Sequence, residues 1–137
     1  MKILYFALSY TWGIIMILVG YVVRLVLRIM CVEYEMHGPC RVYQIGKTRW
    51  GGVSLGHTIL TQKDPSRHTL NHEFGHSIQN AVFGPFYLLI ALVSAMRYHR
   101  RKILKKKNPN IELPLYDSVW YEGTATKWGN KSIKYFK

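Results

Sequence analysis

Two histidines four residues apart with a glutamate after the first, His72-Glu73-Phe74-Gly75-His76, constrain this chain more than any other feature. On an α-helix positions i and i+4 lie on one face a single turn apart, so a helix here presents both imidazoles to one metal ion, with Zn²⁺ the expected ion. Glu73 then stands beside an open coordination position, where it takes a proton from water and passes it to a leaving amine. That is the chemistry of metal-assisted peptide-bond hydrolysis. With six histidines in 137 residues, the pattern arises by chance in roughly 1 chain of this composition in 100. The bland alternative is a pair of surface or hydrogen-bonded histidines that hold nothing. The flanks weigh against it, because Asp64-Pro65 is a helix start with an N-cap carboxylate and Gly84-Pro85 is a stop. Between them Leu70, Phe74, Ile78, Ala81 and Val82 recur at helical spacing, so one side packs on a core and His72, Glu73 and His76 occupy another.

The N-terminus supplies the second constraint. From Ile3 to Val23 the chain is almost uninterruptedly apolar, and 21 residues at 1.5 Å each reach about 31 Å, enough to cross a bilayer. A cleaved signal peptide has a shorter apolar core and a small-x-small site, whereas this run passes directly into Arg24 and Arg28. The reading is an uncleaved transmembrane anchor over residues 1–28, followed by one small domain over 29–137. The net charge of +12 lies mostly after that span, so the positive-inside rule predicts a single-pass protein with its domain in the cytoplasm. The cations concentrate between Arg97 and Lys107. Beside a membrane segment, such a field favours anionic lipid headgroups over nucleic acid as its partner. Cys31 and Cys40 are either a disulfide or two free thiols, and a cytoplasmic setting would keep them reduced.

Between anchor and motif, Cys31–His37 and Arg41–Ile45 alternate as two short strands across Gly38-Pro39. Trp50–Leu60 reads as further strand with bends at Gly51-Gly52 and Gly56. A small sheet before the metal helix gives an edge along which an extended peptide can align. After the motif, Phe86–Met96 is apolar all round. At 11 residues it is too short to span, and reads either as a buried helix or as one lying in the membrane interface. Tyr116–Trp128 predicts the last helix. The fold class expected is α+β.

A catalytic zinc takes three protein ligands and a water, so one ligand remains to be found among Glu122, Asp117, His57, His68 and His99. A third histidine in the longer H-E-x-x-H-x-x-G-x-x-H pattern is excluded, since Gln79 and Val82 stand at those positions. His57 and His68 each read more simply as ordinary satisfied or exposed histidines. Glu122 sits on the predicted last helix, where a second helix can bring a carboxylate to the metal. His72-Glu73-Phe74-Gly75-His76-Ser77-Ile78-Gln79 followed by Trp120-x-Glu122-x-x-Ala125 resembles the gluzincins, in particular small membrane-associated bacterial H-E-x-G-H-x-x-Q proteins. The resemblance takes in Ser54-Leu55-Gly56 and Gly84-Pro85-Phe86-Tyr87, and so runs from about Gly51 to Gly129. It implies a zincin-like fold with zinc on His72, His76 and Glu122 and Glu73 as general base. Many gluzincins place Asp or Asn four residues after the ligand glutamate to orient a zinc histidine. Here that position is Thr126, whose hydroxyl accepts the same hydrogen bond more weakly than a carboxylate. Gln79 is expected to bond backbone or substrate, and Tyr116, Tyr121 or a histidine to serve as oxyanion donor.

The function expected is that of a membrane-anchored zinc metallopeptidase acting on a peptide or protein substrate. The competing reading is a non-catalytic membrane protein with a structural or vestigial metal and a basic lipid- or partner-binding face. Structural zinc usually takes four protein ligands and has no need of Glu73. An intramembrane protease with Asp117 as ligand is disfavoured by Asp64, Arg67 and Asn71 around the motif.

Overall fold

Gly38-Pro39 turns the chain tightly enough for its flanks to pair. β1 (Glu35–His37) and β2 (Cys40–Gln44) run antiparallel, with His37 opposite Cys40, and Gly38 has the positive φ that such a turn requires (58°). The computed structural model describes residues 1–46 and 50–136. The hairpin expected from the sequence is present, but its first strand begins at Glu35 rather than Cys31. Cys31 adopts φ 55° and donates its amide to the Arg28 carbonyl, completing the preceding helix end.

A second hairpin joins β3 (Gly52–Leu55) to β4 (Thr58–Thr61) around Gly56. β4 pairs in parallel with β2, so the mixed sheet has the order β1-β2-β4-β3 and leaves β3 at an edge.

The apolar N-terminus is not one straight helix. α1 (Lys2–Tyr10) and α2 (Ile14–Ile29) meet at 83°. The bend is fixed from outside, because the Gly13 carbonyl accepts a 3.0 Å hydrogen bond from Asn80 Nδ2. A side chain at position 13 would approach that amide to 2.9 Å. With 16 residues, α2 is about 24 Å long, short of the roughly 30 Å hydrocarbon core. Both helices pack on the rest of the chain. Tyr5 donates to or accepts from Ser77 at 2.6 Å, and Arg24 bonds Thr58 Oγ1 at 2.7 Å and the His57 carbonyl.

α3 (Arg67–Phe83) carries the motif. Its N-cap is Ser66, whose hydroxyl accepts from the Thr69 amide at 3.1 Å, and not Asp64 as the sequence suggested. Asp64 instead lies at φ 51° and donates its amide to Gln44. The expected stop at Gly84 is present, with φ 56°. Phe74, fully buried, projects from α3 into the core formed by Val42 and Ile59 of the sheet, Tyr5 and Ile133. Losing such a ring costs about 3–5 kcal/mol.

A short 3-10 turn leads into α4 (Tyr87–Lys107), ten residues longer than the apolar run that announced it and buried only at Tyr87. The helical stretch Arg67–Lys107 contains an 18-residue window of mean hydropathy 1.6, of which 28% is buried within the protein. α5 (Trp120–Ser132) then returns along α3. Cys31 is exposed, Cys40 is buried, and neither is bonded to the other. Burial pushes the Cys40 thiol up to about 11.

Candidate metal centre

Helical spacing alone brings His72 and His76 together, and α5 brings Glu122 to them. Two glycines allow that approach: Gly75 faces the Ala125 backbone and Gly129 faces the Asn71 carbonyl, each so closely that a β-carbon would lie inside the opposing backbone. Glu122 is fully buried. Its Oε2 lies 3.2 Å from His72 Nε2 and 3.1 Å from His76 Nε2, and the two Nε2 atoms are 3.2 Å apart. His72, His76 and Glu122 thus form a buried group positioned to hold a metal ion.

The outer hydrogen bonds decide which protons are present. Gln79 donates its amide to the Tyr121 carbonyl at 2.6 Å, which leaves its oxygen facing His76 Nδ1 at 2.8 Å. That nitrogen therefore carries the hydrogen. Thr126 donates its single hydroxyl proton to Asp117 at 2.7 Å, so its oxygen accepts from His72 Nδ1, also at 2.7 Å. With both Nδ1 atoms protonated, the neutral imidazoles direct Nε2 lone pairs at a carboxylate oxygen. Three acceptors then converge with no proton among them. One extra proton on His76 relieves part of this repulsion. Burial opposes that charge, yet Glu122 and Glu73 hold the His76 pKa above its usual value. A single cation in the centre satisfies all three. Tetrahedral ligands at the 2.0–2.1 Å typical of zinc stand about 3.3 Å apart, close to the separations found.

The expected weakness of Thr126 is thereby repaired. The hydroxyl does accept from His72, and Asp117 stands behind it, so a carboxylate polarises the imidazole through one intervening oxygen. Gln79 does the corresponding work for His76: its amide bonds the Tyr121 backbone as expected, and the bond from its oxygen to the imidazole is what the sequence reading did not foresee. Ser94 was also missed, and it donates to Glu122 Oε1. Its signal was a lone serine inside an apolar run. Thr126→Val is expected to weaken zinc binding by about 10–100-fold, read by competition with a chromophoric chelator while circular dichroism stays unchanged. Unaltered affinity would remove Asp117 from the metal's support.

Glu73 lies beside this group, packed against Gly52 so closely that a β-carbon there would be 2.8 Å from its Oε1. Its Oε2 is buried without a hydrogen-bond partner among the described residues. Burial raises its pKa, against the opposing pull of His76 and His72. Burial also acts on Glu122, but the pull of His72 and His76 whenever they carry a second proton, together with the Ser94 hydroxyl, outweighs it and holds the carboxyl below its ordinary range. Two carboxyl groups side by side are thus driven apart in acidity.

The cleft in front of them has a volume of about 480 Å³ and is bounded by β3, by His72, Glu73 and His76, by one face of α4, and by Tyr116. Of the oxyanion donors considered, Tyr116 lines it while Tyr121 does not. The Tyr116 phenol is pushed up to about 12, chiefly by burial, so it keeps its proton. His68 and His99 line the cleft, and His68 is 3.9 Å from Asp117. His57 lies elsewhere, buried against Tyr5 and Tyr10, and burial followed by Arg24 pushes it down to about 4. Two of the cations between 97 and 107 have internal roles, since Arg97 and Arg101 bond the Leu115 and Pro114 carbonyls and lie over the Tyr116 ring. No family model matches the chain, nor does any curated protein or solved structure.

Proposed function

We propose that the protein is a membrane-associated zinc metallopeptidase of zincin-like architecture, held at the bilayer by residues 1–28 and facing the cytoplasm. One observation carries this reading: three converging acceptor atoms with forced tautomers lie next to a buried, unpartnered glutamate oxygen at the wall of an open cleft. His72, His76 and Glu122 hold the ion. Two imidazoles and a carboxylate suit zinc better than the oxygen-seeking ions. When bound, zinc supplies Lewis acidity toward the scissile carbonyl and toward water.

The remaining steps belong to the chain's own side chains. β3 is a sheet edge along the cleft, so its free backbone groups align an extended peptide across the glutamate. Glu73 takes a proton from the attacking water as its oxygen bonds to the carbonyl carbon. The same proton goes to the amine nitrogen as the C–N bond breaks, and Glu73 is regenerated. Tyr116, protonated and at the cleft wall, donates to the carbonyl oxygen as it gains charge. A structural metal site would have no use for an unpartnered glutamate beside it.

Glu73→Gln is the direct test. It keeps the shape of the side chain and abolishes proton transfer, so cleavage of a fluorogenic peptide library by the zinc-loaded chain should fall by about 10²–10⁴-fold with zinc content unchanged. Equal cleavage by wild type and variant would overturn the assignment.

A further inference from the structure

α4 presents two different surfaces. Ala91, Ser94, Ala95 and Tyr98 follow three-and-four spacing and line the cleft beside the histidines. Leu89, Leu92, Val93, Met96 and Ile103 fall on the side away from the cleft by the same spacing and are between 48% and 63% exposed. Arg100, Lys106 and Lys107 continue that outer side, whereas Arg97 and Arg101 turn back to hold the loop bearing Tyr116. An exposed apolar stripe that runs into cations matches the boundary of an anionic bilayer, acyl chains first and headgroups after. The exposed Leu18, Val22 and Leu25 of α2 add to the apolar surface, and α2 also contributes Met16 to the cleft lining.

We propose that α4 lies with its outer face in an anionic bilayer and its inner face along the cleft, so that the substrate is an extended apolar stretch of a membrane-borne polypeptide. This rests on the metallopeptidase reading and adds the class of chain that enters. The cleft is shaped for it. Met16, Val53, Leu55, Ala91 and Ala95 give it apolar walls, while Glu73 and Asp117 are its acidic lining residues, Asp117 lying 3.9 Å from His72. A wall one helix thick separates lipid from cleft, and a segment leaving the bilayer meets the β3 edge with little exposure to water.

The test uses the full zinc-loaded chain in vesicles of phosphatidylcholine and phosphatidylglycerol. In a Cys31→Ser background, where Cys40 is fully buried, a fluorophore is placed at Leu92→Cys on the outer face or at Lys127→Cys on α5. Lipids brominated in their acyl chains should quench the first and spare the second. Wild type is then given a fluorogenic peptide with an apolar stretch inserted in the vesicles, and a water-soluble counterpart with that stretch made polar. The bilayer-borne peptide should be cleaved at least about tenfold faster, the discrimination that a few apolar contacts provide. An unquenched Leu92 label, or equal cleavage of the soluble peptide, would overturn the inference and leave the metallopeptidase standing. Quenching at Leu92 with neither peptide cleaved would overturn the metallopeptidase reading and this substrate with it.

Discussion

Glu122→Ala should take the zinc content of the detergent-purified chain from about one ion to nearly none. The side chain is fully buried, one oxygen faces both imidazoles and the other accepts from Ser94, so no water-exposed group can replace it. Two imidazoles left alone hold the ion far more weakly than the roughly 10–100-fold loss that follows damage to an outer hydrogen bond. His76→Ala should behave alike. Glu122→Gln, which preserves volume and the Ser94 contact, separates loss of a ligand from loss of fold. Elemental analysis reads all of them beside wild type. Wild type that stays folded but holds no zinc after loading and dialysis would sink the metallopeptidase reading.

Gly75→Ala should be nearly as damaging by an unrelated route. The new β-carbon would fall inside the Ala125 backbone, and the obstruction cannot rotate away as a side chain would. Overpacking ordinarily costs about 1–3 kcal/mol, and a backbone obstacle lies at or above the upper end, against a total stability of about 5–15 kcal/mol. α3 and α5 must separate, which withdraws Glu122 from the histidines. Melting temperature and zinc content should therefore fall together in Gly75→Ala and in Gly129→Ala, while the exposed Lys127→Ala changes neither. A Gly75→Ala chain with wild-type melting and full zinc would show that the two helices need no such close approach.

These glycines show what was legible in the sequence and what was not. His72, His76 and the helix beneath them follow from a spacing of four, and Glu122 came from the pattern that resembles gluzincins; the structure brings all three together. The first hairpin was legible because Gly38-Pro39 marked its turn, and of the second only strand residues and a bend at Gly56 were read. The parallel pairing of β2 with β4 was not, since it depends on contacts across the sheet that no local pattern encodes. Asp117 was visible only as a rival ligand. Its actual place, one hydroxyl away from His72, depends on the 3-10 turn at Tyr116–Ser118 and on Arg97 and Arg101 holding the preceding loop. The bend between α1 and α2 was illegible for a similar reason, because its partner is Asn80, 67 positions away in sequence.

That bend has a practical consequence for anyone preparing a shortened form of this protein. Residues 1–28 invite deletion as a tether, yet Tyr5 fills the core beside Phe74, its hydroxyl serves Ser77 next to His76, and Gly13 receives the Asn80 amide from the back of the same helix. Cutting them away would open a hydrophobic trough behind the metal ligands and strand two buried polar groups. The segment works as a keystone for α3, so that if it also meets the bilayer, tether and support of the candidate metal centre would be one structural property.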